Sequence, residues 1–206
     1  MKLKLMNHYV GIAGTNDLKS TNLKLMQYIK NHFSEKAEIE LVDISDLPVF
    51  FKNKDRVIPE KAAEISMKIE AADGVIIATP EYDHSVPAVL MNALEWLSYA
   101  RHPFVGKPVM IVGASYGTLG TSRAQAHLRR ILDSPELSAR IMPSSEFLLG
   151  HSLQAFDEDG NLNNEEKVTL LDGLFEDFEV FSNISKHLTN ANDEQRKEVE
   201  NYSWKD

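Results

Sequence analysis

An α/β fold, with a five-stranded parallel sheet and helices on both of its faces, is what this 206-residue sequence predicts. Three observations carry that expectation. Short apolar runs alternate with stretches of helical periodicity along most of the chain. Two of the runs, Val75 to Ala78 and Val109 to Val112, are apolar without interruption, the pattern of strands buried on both faces. The stretches between strands are long enough for helical crossovers, which makes the connections parallel and right-handed.

Leu5 to Ala13 is β-compatible through Tyr9, Val10 and Ile12 and ends in Gly14, where polar residues begin to accumulate. From about Ser20, the residues Leu23, Met26, Ile29 and Phe33 recur at the spacing of one helix face. Ile39 to Val42 is the second strand, and Ala62, Ile65 and Ile69 outline the next helix, with Pro59 near its start. Gly74 leads into the third strand at Val75, after which Pro87 opens a helix through Leu90, Leu94 and Leu97. The fourth strand ends in Gly113, and Leu128, Ile131 and Leu132 belong to a helix that starts near Ser122. Ile141 to Leu149 holds the fifth strand, and Leu171, Leu174, Phe175 and Phe178 mark a final helix. Residues 1–188 therefore read as one domain, and 189–206, with eight charged residues in 18, as a polar C-terminal helix or tail.

Composition narrows the function. At 43% hydrophobic and 26% charged the chain is an ordinary globular protein. Its formal charge of −9 has the wrong sign for neutralising nucleic-acid phosphates, so no nucleic-acid partner is expected. No apolar run approaches the roughly 20 residues of a membrane span, and Met1 to Asn7 lacks a signal peptide's apolar stretch, so a cytoplasmic location is expected. Without cysteine there is no thiolate nucleophile and no iron–sulfur cluster, and redox chemistry must sit on a bound organic cofactor. The seven histidines show no paired metal-binding spacing. Asp157, Asp159, Gly160 and Asn161 imitate a calcium loop, but Leu162 and Val168 stand where glycine and glutamate are needed, so the segment is a turn.

Open parallel sheets bind ligands at the carboxyl ends of their strands, which directs attention to three loops. In the first, Gly14 to Asn22, the side chains of Thr15, Ser20 and Asn22 stand with backbone N–H groups at a helix N-terminus, a cradle for a phosphate. Neither a Walker spacing nor a dinucleotide glycine fingerprint is present, and Asp43 after the second strand reads as a loop or cap residue. The second loop, Thr79 to Pro87, is stiffened by Pro80 and Pro87 so that its backbone can be held against a flat ligand; as a plain turn it would have Ser85 capping the next helix and Pro87 at its first position. The third, Gly113 to Gly120, lets backbone approach closely and offers the Tyr116 ring for stacking.

Together these loops resemble the NAD(P)H-dependent FMN reductase family, whose relatives include azo, chromate and quinone reductases. The resemblance lies in Gly14, Thr15, Ser20 and Asn22; in Pro80-Glu81-Tyr82-Asp83-His84-Ser85-Val86-Pro87; in Asn92 to Ser98; and in Ser115 to Gly120 with Arg123 to Arg129. It implies a flavodoxin-like three-layer sandwich. It implies FMN, its phosphate held by Gly14, Thr15, Lys19, Ser20 and Asn22 and its ring by Pro80, Glu81, Tyr82, Asp83, His84, Ser85, Ser115, Tyr116 and Gly117. No side chain is expected to act as a conventional acid or base; Glu81, Tyr82 and Tyr116 shape the substrate side. NADPH or NADH would reduce the flavin and leave, and a small acceptor such as a quinone, an azo compound or free flavin would take its place. Arg101, Arg123 and Arg129 are the candidates to read the 2′-phosphate of NADPH. The family usually has an arginine where Asn16 and Asp17 stand, and an asparagine at Asp83, which places carboxylates near the cofactor. The family's dimers and tetramers imply a homo-oligomer, with Trp96 and Tyr99 as interface candidates. The alternative is a flavodoxin-like electron carrier, or an FMN-binding module that serves a larger flavoprotein partner and is connected to it by the charged tail.

Overall fold

The structure, a computed structural model, describes residues 6–188 and residue 197. The proposed tail, apart from position 197, lies outside the described residues. The strands are β1 (Asn7–Ala13), β2 (Ala37–Val42), β3 (Gly74–Ala78), β4 (Pro108–Ala114), β5 (Arg140–Ile141) and β6 (Phe147–Leu149), and the helices α1 (Thr21–His32), α2 (Glu60–Ala71), α3 (Ala88–Ala100), α4 (Ser122–Leu132) and α5 (Glu165–Ser185). All strand pairings are parallel, in the order β2-β1-β3-β4-β5, with β6 also on β4. This is the flavodoxin-like order, and it places the switch in strand direction of travel between β1 and β3.

Period-two alternation divides the sheet's apolar residues between two cores. Val75, Ile77, Val109 and Ile111 face α2, α3 and α4, whereas Ile76, Ala78, Met110 and Val112 face α1 and α5. Both layers are closed by large buried side chains, Trp96 and Phe104 on one face and Phe33, Phe147, Phe175 and Phe178 on the other. Each such burial stabilises the fold by about 1.5–3 kcal/mol.

Three expectations need correction. The fifth strand is two short segments: β5 pairs with the start of β4 and β6 with its end. Pro143, which has no N–H to give to a ladder, and Ser144, at φ 53°, interrupt them. The half-buried Arg129 fills the gap, donating to the carbonyls of Met142 and Ser145. Gly113 and Ala114 belong to β4, not to the loop after it. Trp96 is 1% exposed and its Nε1 donates to the Pro48 carbonyl at 2.7 Å, so it anchors its own chain's 48–51 segment instead of facing a partner. A helix face that packs on a loop has the same apolar spacing as one that packs on another subunit.

Candidate functional site

The first loop is built by local capping. Gly14 sits behind it, its N–H donating to the Ala78 carbonyl at 2.8 Å and tying β1 to β3. Thr15 Oγ1 accepts from the Asp17 N–H, Asp17 Oδ1 accepts from the Lys19 N–H at 2.9 Å, and Ser20 Oγ caps α1 by accepting from the Asn22 N–H. With their oxygens accepting in these turns, the hydroxyls of Thr15 and Ser20 each retain a hydrogen to donate. Asn22 does something the sequence did not disclose. Its amide is 2% exposed, donates to the Ala114 carbonyl at 2.8 Å and accepts from the Ala114 N–H at 2.9 Å. It ties the first loop to the end of β4, so the amide expected to hold phosphate serves the scaffold. Asn22→Leu leaves both Ala114 groups unpaired; a loss of about 2–4 kcal/mol is expected, read as a lower denaturant midpoint.

The second loop ends in a tight hairpin. Tyr82 and Ser85 exchange backbone hydrogen bonds at 3.2 and 2.9 Å, and the two residues between them are left-handed, Asp83 at φ 50° and His84 at φ 61°. Positive φ at both central positions is a type I′ turn, whose first central position takes asparagine or aspartate. Asp83 in place of asparagine therefore keeps the turn. Ser85 does not cap α3; its Oγ lies 2.8 Å from His127 Nδ1, and Pro87 itself is the N-cap.

Glu81 also departs from expectation. Its side chain is only 11% exposed and is turned onto α4: Oε2 accepts from the N–H groups of Arg123 and Ala124 at 3.0 and 3.1 Å. Thr121, at the N-cap of α4, makes no capping bond of its own, so the helix borrows its cap from a loop 40 residues upstream. Arg123 Nη1 lies 3.4 Å from Oε1 and 2.9 Å from His84 Nδ1. Glu81 therefore clamps loop two to α4 while its carboxylate also stands in the cavity wall. Burial alone would raise its pKa, but bonds from Ala124, His84 and Arg123 hold the carboxyl below its ordinary 4.5. A lowered folded-state pKa means stability that is fully present above the unfolded value and lost as pH falls through the folded one. The thermal midpoint of Glu81→Gln is thus expected to converge on that of the parent as acid is added below pH 4.5, the gap between them being widest near neutrality.

In the third loop Ser115 Oγ and the His151 N–H both donate to the Gly117 carbonyl, at 3.2 and 2.9 Å. That fixes the loop's shape from behind, while Tyr116 stands 60% exposed in front. A Cβ added to Gly117 would meet nothing within 4 Å.

The three loops enclose a cavity of about 620 Å³ at the carboxyl ends of β1, β3 and β4. Of the residues singled out from sequence, Ser20 and Asn22 line it from loop one; Pro80, Glu81, Tyr82, Asp83 and His84 from loop two; and Ser115, Tyr116 and Gly117 from loop three. Gly14, Thr15, Lys19 and Ser85 lie outside its wall. Thr21, Thr118 and Leu119 line it and had not been singled out; a hydroxyl at the first helical position was the available signal for Thr21.

Residues 8–154 match the family described as NADPH-dependent FMN reductase. The chain belongs to that family. This FMN reductase family member is 51% identical over 197 residues to the NADH:(hydroxy)cinnamate reductase subunit CrdA of Vibrio ruber, covering 96% of this chain and 97% of that one. It is 42% identical over 177 residues to the NADH-dependent flavin reductase subunit 2 of Lactobacillus johnsonii, covering 84% and 95%. Among solved structures it resembles FerB, a flavoenzyme NAD(P)H:acceptor oxidoreductase from Paracoccus denitrificans, at a TM-score of 0.77 and 27% identity, covering 88% of this chain and 98% of that one. The fold and the family expected from the loops both hold. Among the described residues no group of acids and histidines is arranged to hold a metal, and no helix is long and apolar enough to cross a membrane. Asp43 is the loop residue it was expected to be, accepting from the Ser45 N–H at 2.9 Å.

Proposed function

We propose that this chain is an NAD(P)H-dependent oxidoreductase that binds FMN in the 620 Å³ cavity and serves donor and acceptor in turn at one exposed face. The observation that carries the reading is the open space in front of Gly117, backed by a carbonyl that two donors hold from behind. A glycine that neither a positive φ nor a crowded neighbour requires fits a wall that a flat ligand approaches. Bound FMN supplies the two-electron redox chemistry. The protein's part is binding and orientation. The Ser20 hydroxyl with the first turn of α1 suits the phosphate, without an arginine. The stiff backbone of loop two and the Gly117 segment hold the ring between them. Tyr82 and Tyr116, 56% and 60% exposed, bound the open side where a nicotinamide and then a quinone, azo compound or flavin would stack.

The test is the visible spectrum of the purified protein with FMN, before and after anaerobic addition of each reduced nicotinamide. A bound-flavin spectrum that bleaches, with parallel double-reciprocal plots against a quinone, is expected. A flavin that binds and is bleached by neither nucleotide would instead favour the electron carrier.

A second reading is favoured by one observation: the Vibrio and Lactobacillus relatives are both named as subunits. The loops around the cavity suit a protein partner as well as a small acceptor, since Leu18 of the first and Leu119 of the third are exposed along with the two tyrosines. A larger flavoprotein docking there would receive electrons directly. Co-purification that is lost on deleting 189–206 would favour the charged tail as the connection.

Self-association rests on a separate groove of about 490 Å³, lined by Phe50, Met91, Leu94, Tyr99 and Ile131, with Arg56 and Glu136 among its charged residues. Arg56 donates through Nη2 to the Tyr99 carbonyl at 2.8 Å, and its buried Nε has no partner among the described residues. Both charge signs on one apolar face suit a self-complementary twofold contact, in which Arg56 of each copy meets an acid of the other. A dimer or tetramer by light scattering, weakened by Glu136→Arg, is expected.

A further inference from the structure

The two nicotinamide donors differ by a single group. NADPH carries a 2′-phosphate, close to a dianion at neutral pH, and a site that prefers it must offer a cation whose charge is not already neutralised. Arginine is suited to that role through its bidentate fork. Of the three arginines placed near the site by sequence, two are committed elsewhere and the third is paired within the cavity. Arg101 gives Glu70 a bidentate pair at 3.2 and 2.7 Å, and it follows the last residue of α3, about 20 Å along the helix axis from loop two. Arg129 is half-buried and donates to backbone carbonyls of the 142–145 segment. Arg123 reaches the cavity, but its guanidinium is engaged by Glu81 Oε1 at 3.4 Å and His84 Nδ1 at 2.9 Å.

Among the described residues that line the cavity, Arg123 is the only lysine or arginine, and it shares the wall with the carboxylates of Asp17, Glu81 and Asp83. Arg130 is two turns further along α4, about 10 Å away, and Lys19 stands outside the wall. The one phosphate for which the cavity is equipped is the cofactor's own, at the N-terminus of α1. We infer that the site selects NADH over NADPH, and that Glu81 is the residue that enforces the choice. By capping α4 with one oxygen and pairing with Arg123 through the other, it neutralises the only cation a 2′-phosphate would meet. The carboxyl is held below its ordinary 4.5, so the clamp stays charged throughout the neutral region. The inference rests on the reductase reading above and adds its donor.

The experiment uses the FMN-loaded protein. Steady-state kcat/KM is measured for NADH and for NADPH with one benzoquinone acceptor, and the dissociation constants of NAD⁺ and NADP⁺ are measured by calorimetry. NADH is expected to be favoured by at least about tenfold in both, the loss expected for one missing charge-assisted contact. In Glu81→Gln the NADH:NADPH ratio should fall severalfold, through a lower KM for NADPH and tighter binding of NADP⁺. Should that variant fail to fold for want of its helix cap, Leu119→Arg, which adds a second guanidinium to the cavity wall and leaves Glu81 in place, should shift the ratio in the same direction. A parent protein that uses NADPH as well as or better than NADH overturns the inference and leaves the reductase reading standing. A ratio unmoved in every variant that folds overturns the role given to charge. A bound flavin that neither nucleotide reduces takes down the reductase reading, and the inference with it.

Discussion

Gly117→Val is expected to fold like the parent and to bind FMN at least about 100-fold more weakly, a loss of about 2.7 kcal/mol. The two halves of that result come from one fact. The Cβ of a residue at 117 meets nothing within 4 Å, and the position is exposed, so the folded chain has room for a side chain to start there. Surface substitutions of this kind stay within about 0.5 kcal/mol, or about 2 °C in thermal midpoint for a domain of this size. The added methyls instead occupy the volume that a ring lying on the loop requires. Fluorescence titration of FMN alongside a thermal melt checks both halves. A stable variant with unchanged affinity would move the flavin off this wall, and the argument for the cavity with it.

Gly113→Ala is expected to give the opposite pattern, a large loss of stability from one methyl group. Its Cβ would stand 1.8 Å from Thr121 Oγ1, 2.8 Å from the Thr79 carbonyl and 3.0 Å from Gln125 Nε2. None of the three yields easily. Thr79 is backbone, its N–H bonded to the Val112 carbonyl; Thr121 is itself left-handed at φ 71°; and Gln125 Nε2 is engaged with Thr121 Oγ1 and the Phe147 carbonyl. Overpacking costs about 1–3 kcal/mol, and displacing the buried amide from its acceptors adds a comparable amount. A fall of about 3–5 kcal/mol, or roughly 6–20 °C, is therefore expected by urea or thermal unfolding. A fall below about 1 kcal/mol would mean that α4 does not seat on β4 as closely as described.

How much of this was legible in the sequence depends on the range over which each signal acts. The uninterrupted apolar runs at β3 and β4 mark central strands whatever surrounds them, so the order of elements and the parallel sheet followed from the pattern alone. The ten residues that do line the cavity came from short contiguous loops, where position after a strand is itself the signal. What escaped were the roles that depend on a second, distant segment. Nothing around Asn22 announces that its amide will be taken by Ala114, 92 residues later. Nothing around Glu81 announces that α4 will lack a cap of its own. The same limit explains Trp96, whose partner Pro48 is 48 residues away. The break between β5 and β6 is different, because Pro143 was visible; the apolar residues on either side of it masked the interruption.

That break bears on how the molecule behaves in crowded solution. A long flat edge strand is a template on which another chain can add itself and begin a fibril. Here the far margin of the sheet consists of two residues, a kinked gap filled by a guanidinium, and three residues more, and the Leu148 carbonyl in the last piece already accepts from Lys167 Nζ at 2.9 Å. At this margin a newcomer finds no run of open ladder long enough to register against. The irregularity that looks like a defect in the fifth strand is thus a safeguard against aggregation.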